Sequence, residues 1–407
     1  MFKKKFKIAI ILDQKINEGG GYQQSLNSVL LAKKLKDDMY TLKFFTIFKN
    51  DIKKLEKFKI KAEYLNLTFY LKFITFLSIN PKIKAIKNLL KLFLDFNPFY
   101  KILKKRDIDL VYFLSPSKYA ICLGNLNFIY TIWDICHRDN PEFPEVRNNY
   151  EFEKREYIYK KLLPKSTGII VDSNVNKENL SRFYNINKDK IIVIPFEAAP
   201  SIKDFSQRKL NTKYLNTMYK IESPYIFYPA QFWAHKNHIY ILEGIAILKK
   251  LYGIKMNIVF SGSNKGNLNY IKKSVNLFGL ENQVKFMGFI NNDLLIDIYR
   301  NSFALVMPTY FGPTNLPPLE AFKLGIPVIY PDIKEMREQI GNAAKFINLL
   351  DPKSLANEIK NLHKNENLRK KIIKAGFKRY QEIENIDRER ELSNLIRKFC
   401  SKRKCWD

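Results

Sequence analysis

The stretch PTYFGPTNLPPLEAFKLGIPVIYPD, Pro308 to Asp332, brings together the residue types best suited to holding an anion and a polyol. A short apolar run, Phe303 to Met307, reads as a buried strand, and Phe311 to Leu316 reads as a turn carrying Gly312, Pro313 and Asn315. Pro317 and Pro318 suit the first turn of a helix, where a missing N–H costs nothing. The backbone N–H groups of Thr314, Asn315 and Leu316 are then expected to stand unpaired at a helix N-terminus, whose dipole favours a phosphate. Glu320 falls in the first turns of that helix, so its carboxylate is a candidate acceptor for sugar hydroxyls, while Leu319, Phe322 and Leu324 can pack the helix on a sheet. An ordinary strand-to-helix connection with a capping acid is the alternative.

Two other clusters have the chemistry of a site. In FYPAQFWAHKNHIYILEGIAIL, Gln231 to His238 lie between a strand and a helix, where phosphate contacts are made. Lys236 is the candidate cation for a leaving phosphate, with His235 beside it, because fixed charge contributes most where charge develops. A solvated lysine is the competing account. In YTIWDICHRDNPEFPE a strand ends in Asp134, His137, Arg138 and Asp139. Asp134 and His137 are candidates for sugar or acceptor contacts, and the imidazole for proton handling, since it titrates near neutrality. A buried structural aspartate and a satisfied histidine remain open for the same pair.

The elements that must position these residues alternate. Lys7 to Asp13 reads as a strand, followed by a flexible turn at Gly19, Gly20 and Gly21 and a helical pattern from Tyr22 to Leu35. Further strands are expected at Tyr40 to Phe48, Leu110 to Leu114, Phe128 to Trp133, Gly168 to Asp172 and Ile191 to Ile194. A second series covers Tyr225 to Pro229, Met256 to Ser261, Val284 to Phe286, Ala304 to Met307 and Val328 to Tyr330. Strands alternating with helices argue for α/β architecture with parallel sheets. The polar, turn-rich stretch between the series places a linker near Pro195 to Asp204, and the charged KRYQEIENIDRERELSNLIRKFC reads as one amphipathic helix. The expected domains are 1–200, completed by about 385–407, and 201–384.

PPLEAFKLGIPVIYPD resembles the donor-binding signature of the GT-B glycosyltransferases of family 4, the group 1 enzymes. The resemblance implies two facing Rossmann-like, doubly wound domains with the site in the cleft between them. It also implies a retaining hexosyltransferase, mannosyltransferase-like, that takes a nucleotide diphosphate sugar as donor and needs no cofactor. Glu320 matches the family's second motif acid, which holds the ribose. The first acid's position is Gly312, and the turn is rebuilt as YFGPTN, so main-chain groups of Gly312 to Asn315 are expected to replace it. A basic pair usually follows the strand before Lys236; its arginine position is Gln231 here. A His-Asp pair usually ends the strand before Asp134, and Trp133 stands in the histidine's place, with His137 three residues on. The glycine loop, Gly19 to Gly21, would face the diphosphate and acceptor, and the terminal helix would brace the first domain.

Composition limits the partners and the compartment. No uninterrupted apolar run approaches the roughly 20 residues of a membrane span. The opening MFKKKFKIAIILD is basic then apolar but lacks a small-residue cleavage site, and reads as a first strand. Cys122, Cys136, Cys400 and Cys405 have neither CxxC spacing nor the density of a disulfide scaffold, which points to a reducing cytoplasm and no metal. Asp107 and Asp109 spell DxD but precede a strand, so a turn is expected there rather than a metal site. A formal charge of +30 attracts polyanions. An anionic membrane surface is a candidate partner through the lysine- and aromatic-rich Lys53 to Arg106, against helices with solvated lysines, whereas nucleic acid has no accompanying motif. The function expected is transfer of a sugar to a glycan or lipid-linked acceptor in polysaccharide or lipopolysaccharide synthesis. A nucleotide-sugar epimerase or phosphorylase on the same fold, and a non-catalytic membrane-associated partner of a glycan assembly complex, are the alternatives.

Overall fold

The computed structural model describes residues 5–16, 20–80, 82, 94–203, 212–312 and 314–406. The chain divides into two compact units, one of residues 1–142, 146–195 and 387–407, the other of residues 143–145 and 196–386. Each is built on a parallel sheet.

In the first unit the strands are β1 (Phe6–Leu12), β2 (Tyr40–Thr46), β3 (Ala62–Tyr64), β4 (Leu110–Phe113), β5 (Asn127–Thr131), β6 (Gly168–Val171) and β7 (Ile191–Val193), in the order β3-β2-β1-β4-β5-β6-β7. Every pairing is parallel, with Ile8 opposite Leu42 on one side of β1 and opposite Leu110 on the other. The second unit holds β8 (Tyr225–Pro229), β9 (Asn257–Ser261), β10 (Val284–Phe286), β11 (Ala304–Val306), β12 (Val328–Pro331) and β13 (Lys345–Ile347), in the order β10-β9-β8-β11-β12-β13 and again parallel. Strands covered by helices on both faces need near-continuous apolar runs, and FKIAIIL, LVYF, YIFYP and VIYP supply them.

Two strands, β3 and β13, lie outside the strands expected from the sequence. Both are three-residue strands at a sheet edge, and β3, AEY, has two exposed residues. A half-solvated edge strand needs no apolar run, so its sequence carries little strand signal.

Three expectations about the connections need correction. Gly20 and Gly21 open the helix Gly20–Lys34 instead of forming a turn before it. The reason for glycine at position 21 is packing: a Cβ there would come within 2.9 Å of the Trp133 ring. Gly19 lies outside the described residues. The stretch between the two strand series is not a free polar linker throughout, because Ala198, Ala199, Ile202, Leu215 and Ile221 are buried in the second core. Finally, the charged C-terminal stretch forms two helices, Glu366–Glu384 and Arg388–Arg403. Asp387 separates them by accepting the Arg390 N–H as an N-cap.

The last helix packs on the first sheet. Leu392, Leu395, Ile396, Phe399 and Cys400 join Ile8, Ile10 and Leu110 in one core, and Arg388 Nε donates to the Pro195 carbonyl at 3.0 Å. The Leu395 side chain lies so close to Gly168 that a Cβ there would meet it at 2.6 Å.

Candidate functional site

An open parallel sheet binds ligands beyond the carboxyl ends of its strands, where the strand order reverses. In the second sheet that point lies between β8 and β11, since β8 pairs with both β9 and β11. The chain leaving β8 forms the short turn Ala234–Lys236, and the chain leaving β11 runs through Thr309 to Asn315 into the helix Leu316–Leu324.

These two segments meet. Lys236 Nζ lies 3.5 Å from Thr309 Oγ1 and 3.5 Å from Asn315 Oδ1. The Tyr310 N–H donates to the His235 carbonyl at 2.9 Å, and the Tyr228 hydroxyl donates to the Lys236 carbonyl at 3.0 Å. The structure thus brings Lys236, Thr314, Asn315 and Leu316 to one place, at the start of a helix. Pro313 lies outside the described residues.

The expectation of unpaired amides at this helix start is wrong for Asn315. Its N–H donates to Gln339 Oε1 at 2.9 Å, and Gln339 Nε2 donates back to the Asn315 carbonyl at 2.8 Å. Gln339 is a buried polar residue on the helix Lys334–Ile340, and nothing in the periodicity of KEMREQI distinguishes it. The Asn315 side chain is fixed as well, donating to the Gly312 carbonyl at 2.8 Å and to the Tyr330 hydroxyl at 2.7 Å. Gly312 has φ +102°, a region that side-chain-bearing residues rarely adopt, and a Cβ there would lie 3.2 Å from Asn315 Nδ2. The rebuilt turn therefore strains any side chain, the carboxylate that the resemblance would place at this position included, through its positive φ.

Glu320 sits deeper in the same helix. It is buried, accepts the Tyr299 hydroxyl at 2.9 Å on Oε2, and receives the Ala199 N–H. Burial pushes its carboxyl up to about 7, against these two hydrogen bonds. Tyr299 and Ala199 went unnoticed in the sequence, Tyr299 because it belongs to the apolar pattern of its helix. Gln231 is turned to its own segment, with Oε1 accepting from Trp233 Nε1 at 3.0 Å.

The first sheet reverses its order between β1 and β4. There the Ser115 hydroxyl donates to Asp13 Oδ1, and burial raises the Asp13 carboxyl. Neither residue stands out in the sequence, because a lone Asp and a lone Ser at strand ends have no spacing signature. Gly21 reaches this end of the sheet through its contact with Trp133.

Asp134 follows β5 and is half-buried. Its Oδ1 accepts Arg155 Nη2 at 2.8 Å and the Cys136 N–H at 3.0 Å. Burial would raise the carboxyl, but the adjacent Arg155 guanidinium holds it below the usual range. His137 does not share that position: it is completely buried, its Nε2 lies 2.9 Å from Glu156 Oε1, and its ring meets Phe152 and Tyr159 edge-on. Burial pulls its imidazole down to about 4, so it is neutral near pH 7, and the contact with a carboxylate places the proton on Nε2. Glu156 also binds Arg138 Nε at 2.8 Å and Lys160 Nζ at 3.1 Å. These partners, with Tyr184, bring its carboxyl down to about 2 despite burial. Arg155 and Glu156 are neighbours on the helix Glu151–Leu162, so one turn of helix fixes both Asp134 and His137.

The DxD pair closes a turn at the opposite end of the sheet. Asp109 Oδ2 accepts the Lys7 N–H at 2.8 Å and Asp107 pairs with Lys7 Nζ at 3.2 Å. Among the described residues no helix is long and apolar enough to cross a membrane.

Comparison with known proteins agrees with this arrangement. Residues 219–379 match the family model described as glycosyl transferases group 1. An O-antigen chain mannosyltransferase of Salmonella typhimurium is 26% identical over 207 residues, 51% of this chain and 54% of the relative. The chain thus spans about half the length of that curated relative. A capsular polysaccharide biosynthesis glycosyltransferase of Staphylococcus aureus is 28% identical over 276 residues, 65% of this chain and 71% of the relative. Among solved structures, Anabaena HepE in complex with UDP superposes with a TM-score of 0.65 at 14% identity, covering 98% of this chain and all of that one. The likeness in structure establishes the GT-B fold.

Proposed function

We propose, from a chain whose residues 219–379 match the group 1 glycosyltransferase family model, that this protein transfers a hexose from a nucleoside diphosphate sugar to a hydroxyl of a glycan or lipid-linked acceptor in surface polysaccharide synthesis. The observation that carries the reading is the meeting of Lys236 with Thr309 and Asn315 at the β8–β11 reversal, beside a helix N-terminus. A cation beside the positive end of a helix dipole suits a diphosphate.

In the transfer, the bond from the anomeric carbon to the phosphate oxygen breaks and one to the acceptor oxygen forms on the same face, giving retention. The acceptor proton passes to the departing phosphate oxygen, so no protein nucleophile is needed. Lys236 stabilises the charge growing on that phosphate, and the helix start at Asn315 and Leu316 orients it. Glu320, ionised, takes the ribose hydroxyls. Asp134, held by Arg155, is placed to accept a hydrogen bond from a sugar or acceptor hydroxyl. His137, buried against Glu156, holds the segment after β5 in the fold and takes no part in the transfer itself.

The protein is proposed to work in the cytoplasm at an anionic membrane face. The helix Phe69–Ile79 exposes Phe69, Phe73 and Phe76, with Lys72 also exposed beside them, and Phe69 and Phe73 stack at 6.4 Å. Aromatics between lysines are the composition of an interfacial surface.

A panel of UDP- and GDP-sugars tests the donor reading, since a ligand that binds the folded state raises its melting temperature. At least one donor is expected to stabilise the protein and to release its nucleoside diphosphate when acceptor is added. Interconversion or phosphorolysis without an acceptor would assign the epimerase or phosphorylase activity instead. Stabilisation by none, with no turnover, would remove the assignment.

A further inference from the structure

Residues 143–145 group with the second unit although they lie between segments of the first in sequence. Glu145 is bound there through its side chain. Its Oε1 accepts the His235 N–H at 2.9 Å and also meets His235 Nδ1, with both side chains about nine-tenths buried. Burial would raise the Glu145 carboxyl, but the His235 ring and main-chain N–H hold it below the usual range, so it is charged at neutral pH.

His235 is a joint. Its carbonyl accepts the Tyr310 N–H at 2.9 Å and lies 3.4 Å from Thr309 Oγ1, while its ring stacks on Phe311 at 3.9 Å and 15°. Phe143 closes the cluster, with its ring 5.3 Å from Phe311 and 5.4 Å from Tyr310. One residue on from His235 is Lys236, and one residue on from Phe311 is Gly312. The carboxylate therefore grips the residue that joins the two segments supporting Lys236.

We propose that Glu145 is a positioning residue for the anion site: through His235 it fixes the turn Ala234–Lys236 against Thr309–Asn315, and so sets the place of the Lys236 ammonium. The inference rests on the reading of Lys236 as the diphosphate cation. A charged hydrogen bond in a mostly buried place restrains geometry more than a neutral one does. Such restraint matters at a cation whose contribution depends on being in place before charge develops. The carboxylate comes from outside the turn, in a site whose own turn has glycine at position 312.

The test is calorimetric binding of UDP, GDP and inorganic pyrophosphate to the full chain and to Glu145→Gln, His235→Asn and the double variant, with melting temperatures recorded without ligand. Gln keeps an acceptor for the His235 N–H but removes the charge. Each single variant is expected to weaken diphosphate binding about tenfold, and the double variant no further than the worse single one, because both act through one joint. The melting temperature of Glu145→Gln should stay near that of the parent. Undiminished affinity in Glu145→Gln, or additive losses in the double variant, would overturn the proposal. A Glu145→Gln protein that melts early yet binds as the parent does would make Glu145 a structural strut only. Should Glu145→Gln fail to fold, His235→Asn alone decides: unchanged affinity there breaks the chain of contact to Lys236. A parent protein that binds none of the three probes would instead remove the reading of Lys236, a result separate from parent and variant binding equally.

Discussion

The strand ends of the two sheets differ in how their charges are matched. In the first unit two carboxylates meet cations or an imidazole at close range: Asp134 meets Arg155 at 2.8 Å, and Glu156 meets Arg138, Lys160 and His137. In the second unit the Lys236 ammonium faces neutral oxygens of Thr309 and Asn315, each at 3.5 Å. A carboxylate in an ion pair is held in one orientation, and an ammonium can exchange long contacts to neutral oxygens for a stronger anion. The buried acids point the same way. Glu156 is brought down to about 2 by its partners, while Glu320 is pushed up to about 7 by burial. The first sheet spends its polar groups on fixing one another, and the second keeps groups whose charge state a ligand can change.

Lys236→Ala is expected to break this contrast most severely, lowering kcat by about 100-fold to 1,000-fold, the scale of losing one transition-state donor. The melting temperature is recorded alongside, so that a loss of fold is told apart from a loss of catalysis. Steady-state kinetics with a donor that stabilises the protein in the nucleotide-sugar panel settle it; an unchanged kcat would return Lys236 to the solvated surface.

Glu320 and His137 should make the two units respond to pH in opposite directions. Glu320 has a folded pKa near 7 against 4.5 unfolded, so the folded state binds the extra proton and stability falls as pH rises through that window. Glu320→Gln removes this dependence: little change near pH 5, and a gain on the order of 3 kcal/mol above pH 7 before any loss of the Tyr299 contact. The same variant should bind donor poorly. His137 falls to about 4 from 6.5, so the unfolded state takes up protons first and stability is lost as pH falls from 6.5 towards 4. His137→Leu should flatten that acid limb and cost about 1–3 kcal/mol at neutral pH, because Glu156 loses a buried partner. Melting curves between pH 4 and 8 for both variants would undo the contrast if their slopes had the same sign.

Asp134→Asn sharpens the comparison inside the first unit. The half-buried carboxylate is expected to contribute to turnover by about tenfold or more, the order of one charged hydrogen bond, while His137→Leu leaves kcat of the folded fraction close to that of the parent. If His137→Leu loses activity and Asp134→Asn does not, the two roles are reversed.

The smallest effect expected is at the membrane. Lysines beside a negative surface contribute about 1 kcal/mol each at best, and salt screens them over roughly 10 Å at 0.1 M. Co-sedimentation should show binding to anionic vesicles, weaker at higher salt, and a loss with Phe69→Ser and Phe73→Ser together. Equal, negligible binding to neutral and anionic vesicles would leave the lysines of the Lys53 to Arg106 region as a solvated face.

Much of this molecule was legible in its residues because parallel strands buried on both faces must be apolar, and LVYF or YIFYP can hardly be anything else. The same holds for PPLEA, whose prolines and glycine-containing turn announce a helix start, and for Lys236 between a strand and a helix. Edge strands β3 and β13 were not legible, since one side of each faces solvent. The split of the C-terminal helix at Asp387 was hidden by a continuous charged pattern. What the chain order could not convey at all were partners separated in sequence. Gln339 closes on Asn315, Tyr299 on Glu320, Glu156 on His137 and Glu145 on His235. Residue type and local spacing determine which groups can bind a phosphate or a hydroxyl, because that chemistry is intrinsic to the side chain and its helix or turn. Which of them keeps its charge, and in what orientation, is decided by burial and by contacts across the fold, and those exist only once the sheets have formed.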